Sequence, residues 1–290
     1  MKQLQRYLAV DIGGTAVKYS ILNESYEELE CGEEATQKDP KCFLDQLFAI
    51  SDRYSGQIAG MAVCMAGFID PVTGENRDFS VGDNFRAWNL KKELSERTKI
   101  PIILENDSNC AALGEMVAGA GKGLQNFVLL TIGTGVGAAL VFDGKLVRGS
   151  HFKAGEAGLA LIGENDSAAG YVTAEATSRL VREVSKLTGN QVDGHYVFEH
   201  LDNPEIQAIY KKWLERIVLT AGNLAVFVDP EAVLIGGGIC RQERFISDFR
   251  QQFYALFPHM KEYTRLEACQ TGNLAGRIGA LYLLLNALKR

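Results

Sequence analysis

The sequence lacks several features, and each absence removes a class of function. No run of about 18 apolar residues occurs, so no transmembrane helix is expected. The opening MKQLQRYLAVDIGG has neither the apolar core nor the cleavage site of a secretion signal. The expected location is the cytoplasm, with no membrane partner. None of the six cysteines (Cys31, Cys42, Cys64, Cys110, Cys240 and Cys269) falls in a CxxC pair, and Cys64 sits in the apolar run MAVCMAG. They are expected to be reduced and mostly buried. The four histidines, His151, His195, His200 and His259, show no HExxH-type spacing, which argues against a protein zinc site. An excess of positive charge is missing too. Lys and Arg number 30 against 36 Asp and Glu, for a net charge of −6, so neither nucleic acid nor an anionic membrane is the expected partner.

What is present fits a soluble α/β protein. Hydrophobic residues make up 47% and charged residues 23%, and a length of 290 residues exceeds what one core comfortably organises. One long-range echo stands out. YLAVD (7–11), then Gly13, Gly14 and Thr15, then AVKYSIL (16–22) reads as two strands around a glycine turn. NFVLLTI (126–132), GTG (133–135) and VGAALVF (136–142) repeat that pattern. Both turns run into strand-like sequence, and neither carries GxGxxG or GxxxxGK[ST]. A dinucleotide fold or a P-loop is therefore disfavoured. Backbone N–H groups at the two tips could still grip phosphate; a purely structural turn is the competing explanation.

Between and beyond the hairpins, helical and strand patterns alternate. Helices are expected over 42–56, 90–99 and 108–120, and strands over 57–70 and 100–107. Asp11, Gly67 and Asp107 fall at or just past strand ends, where open α/β sheets gather binding residues. The segment LENDSNCAALGE (104–115) carries the strongest chemical signal. A carboxylate at the end of a strand and the mouth of a helix suits proton removal from a hydroxyl. A helix cap needs only one of Asn106, Asp107 and Ser108. Glu156 in GSHFKAGEAGL has two acceptor oxygens suited to sugar hydroxyls. VLIGGGIC (233–240) would let a flat ligand approach the backbone, or only make a tight turn. GNLAGRIGALYLLLNAL (272–288) is a terminal helix whose small residues suit close packing.

Taken in order, DIGGTAVK, ENDSNCAALGE, TIGTGVGAAL, AGEAGL, VLIGGGI and NLAGRIGAL resemble the ROK family of sugar kinases and repressors across nearly the whole chain. The resemblance implies a two-lobed α/β fold, actin/hexokinase-like (ribonuclease H-like). The N-terminal lobe would be 1–117 plus 275–290 and the C-terminal lobe 118–274. It implies ATP and Mg²⁺ as cofactors, with a sugar as substrate and a homodimer as the assembly. It implies Asp107 as catalytic base, and Gly67, Asn84, Asn106 and Glu156 as sugar-binding residues. The ATP site would comprise Gly13, Gly14, Thr15, Lys18, Thr131, Gly133, Thr134, Gly135, Gly236, Gly237 and Gly238. Asp11 would organise Mg²⁺ through water.

Two departures bear on the acceptor. The family's histidine after AGExG is Leu159 here, and ENDSAAGYVTAEATS (164–178) stands in place of the cluster CxCGxxGCxE. No zinc is expected. The family's second sugar-binding glutamate falls near Thr173, with Glu175 two positions away. The resemblance thus implies transfer of the γ-phosphate to the 6-hydroxyl of a hexose, such as glucose or N-acetylmannosamine, or of the non-reducing glucose of a β-glucoside disaccharide. Leu159 tilts toward an unusual acceptor. A DNA-binding repressor would need an added helix-turn-helix domain, and only ten residues precede Asp11. A non-catalytic sugar sensor and an ATPase of the same superfold are the remaining alternatives; the ATPase explains neither ENDSN nor AGE.

Overall fold

The computed structural model of the chain describes residues 4–76, 89–162 and 172–289. The chain forms two compact units. The first comprises Met1–Lys122, Arg148–Lys153 and Leu274–Arg290; the second comprises Gly123–Val147 and Ala154–Asn273. The excursion 148–153 into the first unit has no counterpart in the division drawn from sequence.

The first unit is built on five strands: β1 (Arg6–Ile12), β2 (Ala16–Asn23), β3 (Glu28–Ala35), β4 (Met61–Met65) and β5 (Ile102–Asn106). Their order is β3-β2-β1-β4-β5. β1 pairs antiparallel with β2 and parallel with β4, which pairs parallel with β5. β4 is buried throughout, as expected for a parallel strand covered on both faces. Alternation along β1 divides the core. Leu8, Val10 and Ile12 join Phe43, Leu47 and Ile50 of α1 (Pro40–Asp52) and Leu90 and Leu94 of α2 (Leu90–Thr98) on one face. Tyr7 and Ala9 join the other face, under Cys110 of α3 (Asp107–Ala118) and Ile278, Leu281 and Leu284 of α8 (Ala275–Leu288). α1 starts where Asp39 accepts the Cys42 N–H at 3.0 Å and Pro40 presets the first turn.

α8 is last in the chain yet packs in this first unit, backbone to backbone with α3. A Cβ on Gly279 would stand 1.8 Å from the Cys110 carbonyl oxygen, and one on Gly114 would stand 2.1 Å from that of Ala275. The close packing that the small residues of this helix suit is thus made, at Gly279, against another helix.

The second unit repeats the frame. β6 (Phe127–Ile132), β7 (Val136–Phe142), β8 (Lys145–Val147), β9 (Ala232–Gly236) and β10 (Arg265–Ala268) are ordered β10-β9-β6-β7-β8. β6 pairs antiparallel with β7 and parallel with β9. Leu130, Ile132, Val233 and Ile235 pack with Leu180 of α4 (Thr177–Thr188), Trp213 and Ile217 of α6 (Pro204–Val228), and Phe245 and Phe249 of α7 (Glu243–Leu256). The short α5 (Gly194–Glu199) adds Val197. β3, β8 and the helices α4 to α6 had no clear reading in sequence.

Candidate functional site

The first hairpin tip is three residues long, and its carbonyls are all occupied. Thr36, just past β3, donates its hydroxyl to Gly13 O at 2.7 Å and its N–H to Thr15 O at 2.9 Å. Lys38 Nζ donates to Gly14 O. The Gly13 N–H is spent on Ala16 O at 3.0 Å. Among the described residues the N–H groups of Gly14 and Thr15 then have no protein acceptor. Backbone donors presented together, with the carbonyls turned to other work, make an anion site.

Beside that tip stand two carboxyl groups of the same unit. Asp11, next to last in β1, pairs across the ladder with Lys18. Burial lifts its carboxyl above the usual range and the negative charge of Asp107 lifts it further, while Arg277, the Cys64 thiol and Lys18 pull it back. Asp107 is also raised, chiefly by burial, against hydrogen bonds from Ser108 and from its own N–H. Two mutually repelling carboxyls, hard oxygen donors, suit a hydrated divalent cation such as Mg²⁺. Among the described residues, no group of three His, Cys, Asp or Glu could hold a metal by itself.

The turn from β5 into α3 separates capping from chemistry. Asn106 is the cap: its Oδ1 accepts the Asn109 N–H at 3.0 Å, and its Nδ2 donates to Gly67 O at 3.1 Å. One amide proton of Asn106 remains for a ligand. Asp107 is therefore not needed as the cap, although its Oδ1 accepts the Ser108 N–H at 2.8 Å. Behind them lies Glu105, whose side chain is 1% exposed. Its Oε1 accepts from the Asn106 N–H at 2.9 Å and Asn109 Nδ2 at 3.0 Å, and its Oε2 accepts from Arg148 Nε at 2.7 Å. Glu105 thus fixes the strand end that carries Asn106 and Asp107, and Arg148 anchors the 148–153 excursion there.

In the second unit, the tip Gly133–Thr134–Gly135 is held differently. Gly133 N–H donates to Gly135 O at 2.9 Å, and Gly133 O accepts the Thr177 N–H at the start of α4, at 3.1 Å. Among the described residues, the N–H groups of Thr134 and Gly135 are left without an acceptor. Thr131 lies on β6 one position before the last, across from Gly137. Gly236 ends β9, and a Cβ on Gly237 (φ +102°) would stand 2.1 Å from the Ile132 carbonyl oxygen. Gly237 is thus required by its packing on β6. At Gly238 a Cβ would meet nothing within 4 Å, which leaves it open to a ligand. Glu156 precedes the single turn Ala157–Leu159, and its carbonyl accepts the Leu159 N–H at 3.0 Å. Leu159 and Leu161 are exposed.

Asn84 lies outside the described residues, as do most of 164–178 and the side chain of Thr173. Glu175 is described: its carboxylate is buried and bonded to Arg179 at 2.5 Å and Arg216 at 2.9 Å. Sequence reasoning missed Thr36, Lys38, Glu105, Arg148 and Thr177. All act through a partner distant in the chain, and only the Glu105–Asn106–Asp107 adjacency could have drawn attention to one of them. A cavity of about 600 Å³ between α6 and α7, lined by Tyr210, Arg244 and Asp248, contains none of the candidate residues.

Known proteins share this arrangement end to end. The ROK family matches residues 7–287. A β-glucoside kinase of Listeria innocua is 32% identical over 304 residues, covering 97% of this chain and 98% of its own. The Lmo2764 protein of Listeria monocytogenes superimposes with a TM-score of 0.88 at 29% identity, covering 98% of this chain and 100% of its own. A ROK family glucokinase from Streptomyces griseus, solved with glucose and AMPPNP, gives a TM-score of 0.85 at 24% identity, covering 96% and 98%. The fold is accordingly the actin/hexokinase-like (ribonuclease H-like) α/β fold expected from the sequence. With the family match spanning all but the chain's first and last few residues, the protein belongs to the ROK family, as one of its phosphotransferases.

Proposed function

We propose that the chain is an ATP-dependent sugar kinase that phosphorylates the 6-hydroxyl of a hexosyl unit, with Asp107 as the base. The observation that carries this reading is common to the two hairpin tips, where the Gly14, Thr15, Thr134 and Gly135 N–H groups have no acceptor among the described residues and are left for anionic oxygens. In the first unit that grip accompanies two carboxyls, and phosphoryl transfer needs little more than positioning, a proton acceptor and charge neutralisation.

Under this reading the first unit supplies chemistry. Asp107 takes the hydroxyl proton late in transfer, a role worth roughly 10²–10⁴ in rate. Asn106 orients the sugar through its remaining amide proton, assisted by the Gly67 backbone, Asn84 and Glu156. Asp11 holds Mg²⁺ through water, and the ion, when bound, neutralises charge on the phosphates. Lys18 and Thr131 support the phosphates, and Gly236, Gly237 and Gly238 border the nucleoside. No zinc takes part. Division at 117/118 and 274/275 would give each lobe one phosphate hairpin.

The acceptor we favour is a β-glucoside disaccharide. Leu159 and Leu161 follow Glu156 within five residues, 51% and 59% exposed, and offer an apolar wall to a second sugar ring, where a histidine would favour a single polar sugar. The Listeria innocua relative carries that activity in its name. Cytosolic ATP makes the cytoplasm its place of work, and among the described residues no helix is long and apolar enough to cross a membrane. The expected assembly is a homodimer.

The test is sugar-stimulated ADP release across glucose, mannose, N-acetylmannosamine, cellobiose and gentiobiose. The expected result is turnover highest with the two disaccharides. Turnover confined to a monosaccharide would retire the β-glucoside assignment. ADP release unaffected by any sugar would retire the kinase reading in favour of an ATPase or a sensor.

A further inference from the structure

We infer that Glu175 is a positioning residue for the second phosphate-binding tip, acting through the N-terminus of α4, and so sets nucleotide affinity. The inference rests on the kinase reading of that tip. Glu175 ends the single turn Val172–Glu175, two residues before Thr177. Its carboxylate is 1% exposed, and Oε1 receives Arg179 Nη1 at 2.5 Å and Arg216 Nη1 at 2.9 Å. Its carbonyl receives Trp213 Nε1 at 2.9 Å. Among the described residues Oε2 has no hydrogen-bond partner. A carboxylate this buried and this engaged does not serve as a sugar ligand; it ties the turn to α4 and α6.

The turn is fixed at both of its ends. Val172 N–H donates to Ala160 O at 2.8 Å, and Thr177 N–H donates to Gly133 O at 3.1 Å. The second bond is the only protein contact the described residues give to the Gly133 carbonyl. It turns that oxygen away from its own tip and leaves the tip's free N–H groups as the groups an anion would meet. Ala176 offers no side-chain cap to α4, so the ion pairs of Glu175 do the fixing that a cap does elsewhere. Burying a charge is costly unless it is closely paired, and the pairs with Arg179 and Arg216 offset that cost while fixing the turn that leads to the 3.1 Å bond on the hairpin.

Proline at 177 abolishes the bond. Thr177 is the first residue of α4, where proline is tolerated. Ala176 already has φ −55° and ψ 157°, the extended conformation that precedes proline. T177P therefore fits the local backbone, but it removes the N–H donor and sets the ring Cδ against the Gly133 carbonyl oxygen, so the bond is lost and the tip is pushed from its place. Calorimetric titration with Mg²⁺ and a non-hydrolysable ATP analogue, on the full chain, decides the matter. Wild-type protein is expected to bind, with T177P and E175Q each about tenfold weaker, as one lost hydrogen bond implies. The double variant is expected to be no weaker than either alone, and sugar affinity to stay within about twofold in all of them. Wild-type nucleotide affinity in a folded T177P, or effects that add in the double variant, would overturn the inference and leave the kinase reading intact. If E175Q does not fold, T177P decides alone. A wild-type chain that does not bind the analogue would remove the kinase reading, and this inference with it.

Discussion

The two units use one strand frame for different ends. In both, the first strand pairs antiparallel with the second and parallel with the fourth, and a three-residue tip joins the first two. At the next-to-last position of the first strand, one unit has Asp11 and the other Thr131. After the fifth strand, one has Asp107 and the other reaches Cys269 before Gly272–Leu274. After the fourth, both place a glycine, Gly67 and Gly237. Both units carry such a tip; a carboxylate at the next-to-last position of the first strand, with another directly after the fifth, occurs in the first unit alone. On the kinase reading proposed above, that asymmetry would put proton and metal chemistry in the first unit and nucleotide holding in the second.

The largest expected effect tests that division directly. D107N should lower kcat by roughly 10²–10⁴ while sugar affinity persists, measured by ADP release and by titration calorimetry. The same variant should melt at a higher temperature than wild type at neutral pH. Burial raises the Asp107 pKa in the folded chain, so the folded state holds this proton more tightly than the unfolded one. Stability then falls as pH rises through that window, and asparagine relieves the loss. Lower turnover with a lower melting point would show that Asp107 serves the fold. The kcat/KM profile of the wild type should also lose activity on its acid side at a pH above that of an exposed aspartate, because the base must be ionised to act.

Next comes the metal side of the first unit. D11N should shift the Mg²⁺ concentration for half-maximal activity upward by about tenfold or more, read from Mg²⁺ titrations at saturating sugar. The matching change in the second unit, T131V, should leave that midpoint where it is. Equal Mg²⁺ shifts in both would erase the contrast between the units.

The tips themselves should respond alike. T36V removes the hydroxyl donor to Gly13 O and keeps the Thr36 N–H on Thr15 O. KM for ATP should rise about five- to tenfold, comparable to T177P at the other tip. A change at one tip alone would mean that only one of them carries phosphate. The smallest effect is expected at the acceptor. L159H should move the preference between cellobiose and glucose by a few-fold toward glucose, the size of change that one apolar contact supports, seen as a ratio of kcat/KM values.

Much of this was legible beforehand because it is local. The β1–β2 and β6–β7 hairpins were readable from alternation around glycine, and the helices at 90–99 and 108–120 from their periodicity. Asp107 stood out because a strand end, a cap and a carboxylate are adjacent in sequence. What the sequence could not display was which of three polar residues does the capping. Asn106 does it, since its amide reaches both Asn109 and Gly67. Nor could it show that Gly237 serves its packing on Ile132, or that Gly279 of the last helix faces α3 while Gly276 faces Cys64 of β4. β3 was hidden because it lies at a sheet edge with a largely exposed, charged surface and lacks an alternating apolar pattern.

By itself the sequence determined the period of each strand and helix, the glycines at the tips and the carboxylates at strand ends, all set by interactions within a few residues. Tertiary structure decided which carbonyls are occupied and therefore which N–H groups remain to hold an anion. Thr36 meets Gly13 across 23 residues, Thr177 meets Gly133 across 44, and Arg148 meets Glu105 across 43. A hydrogen bond is directional and short, so such partners exist only once the sheets have brought distant segments within about 3 Å of each other.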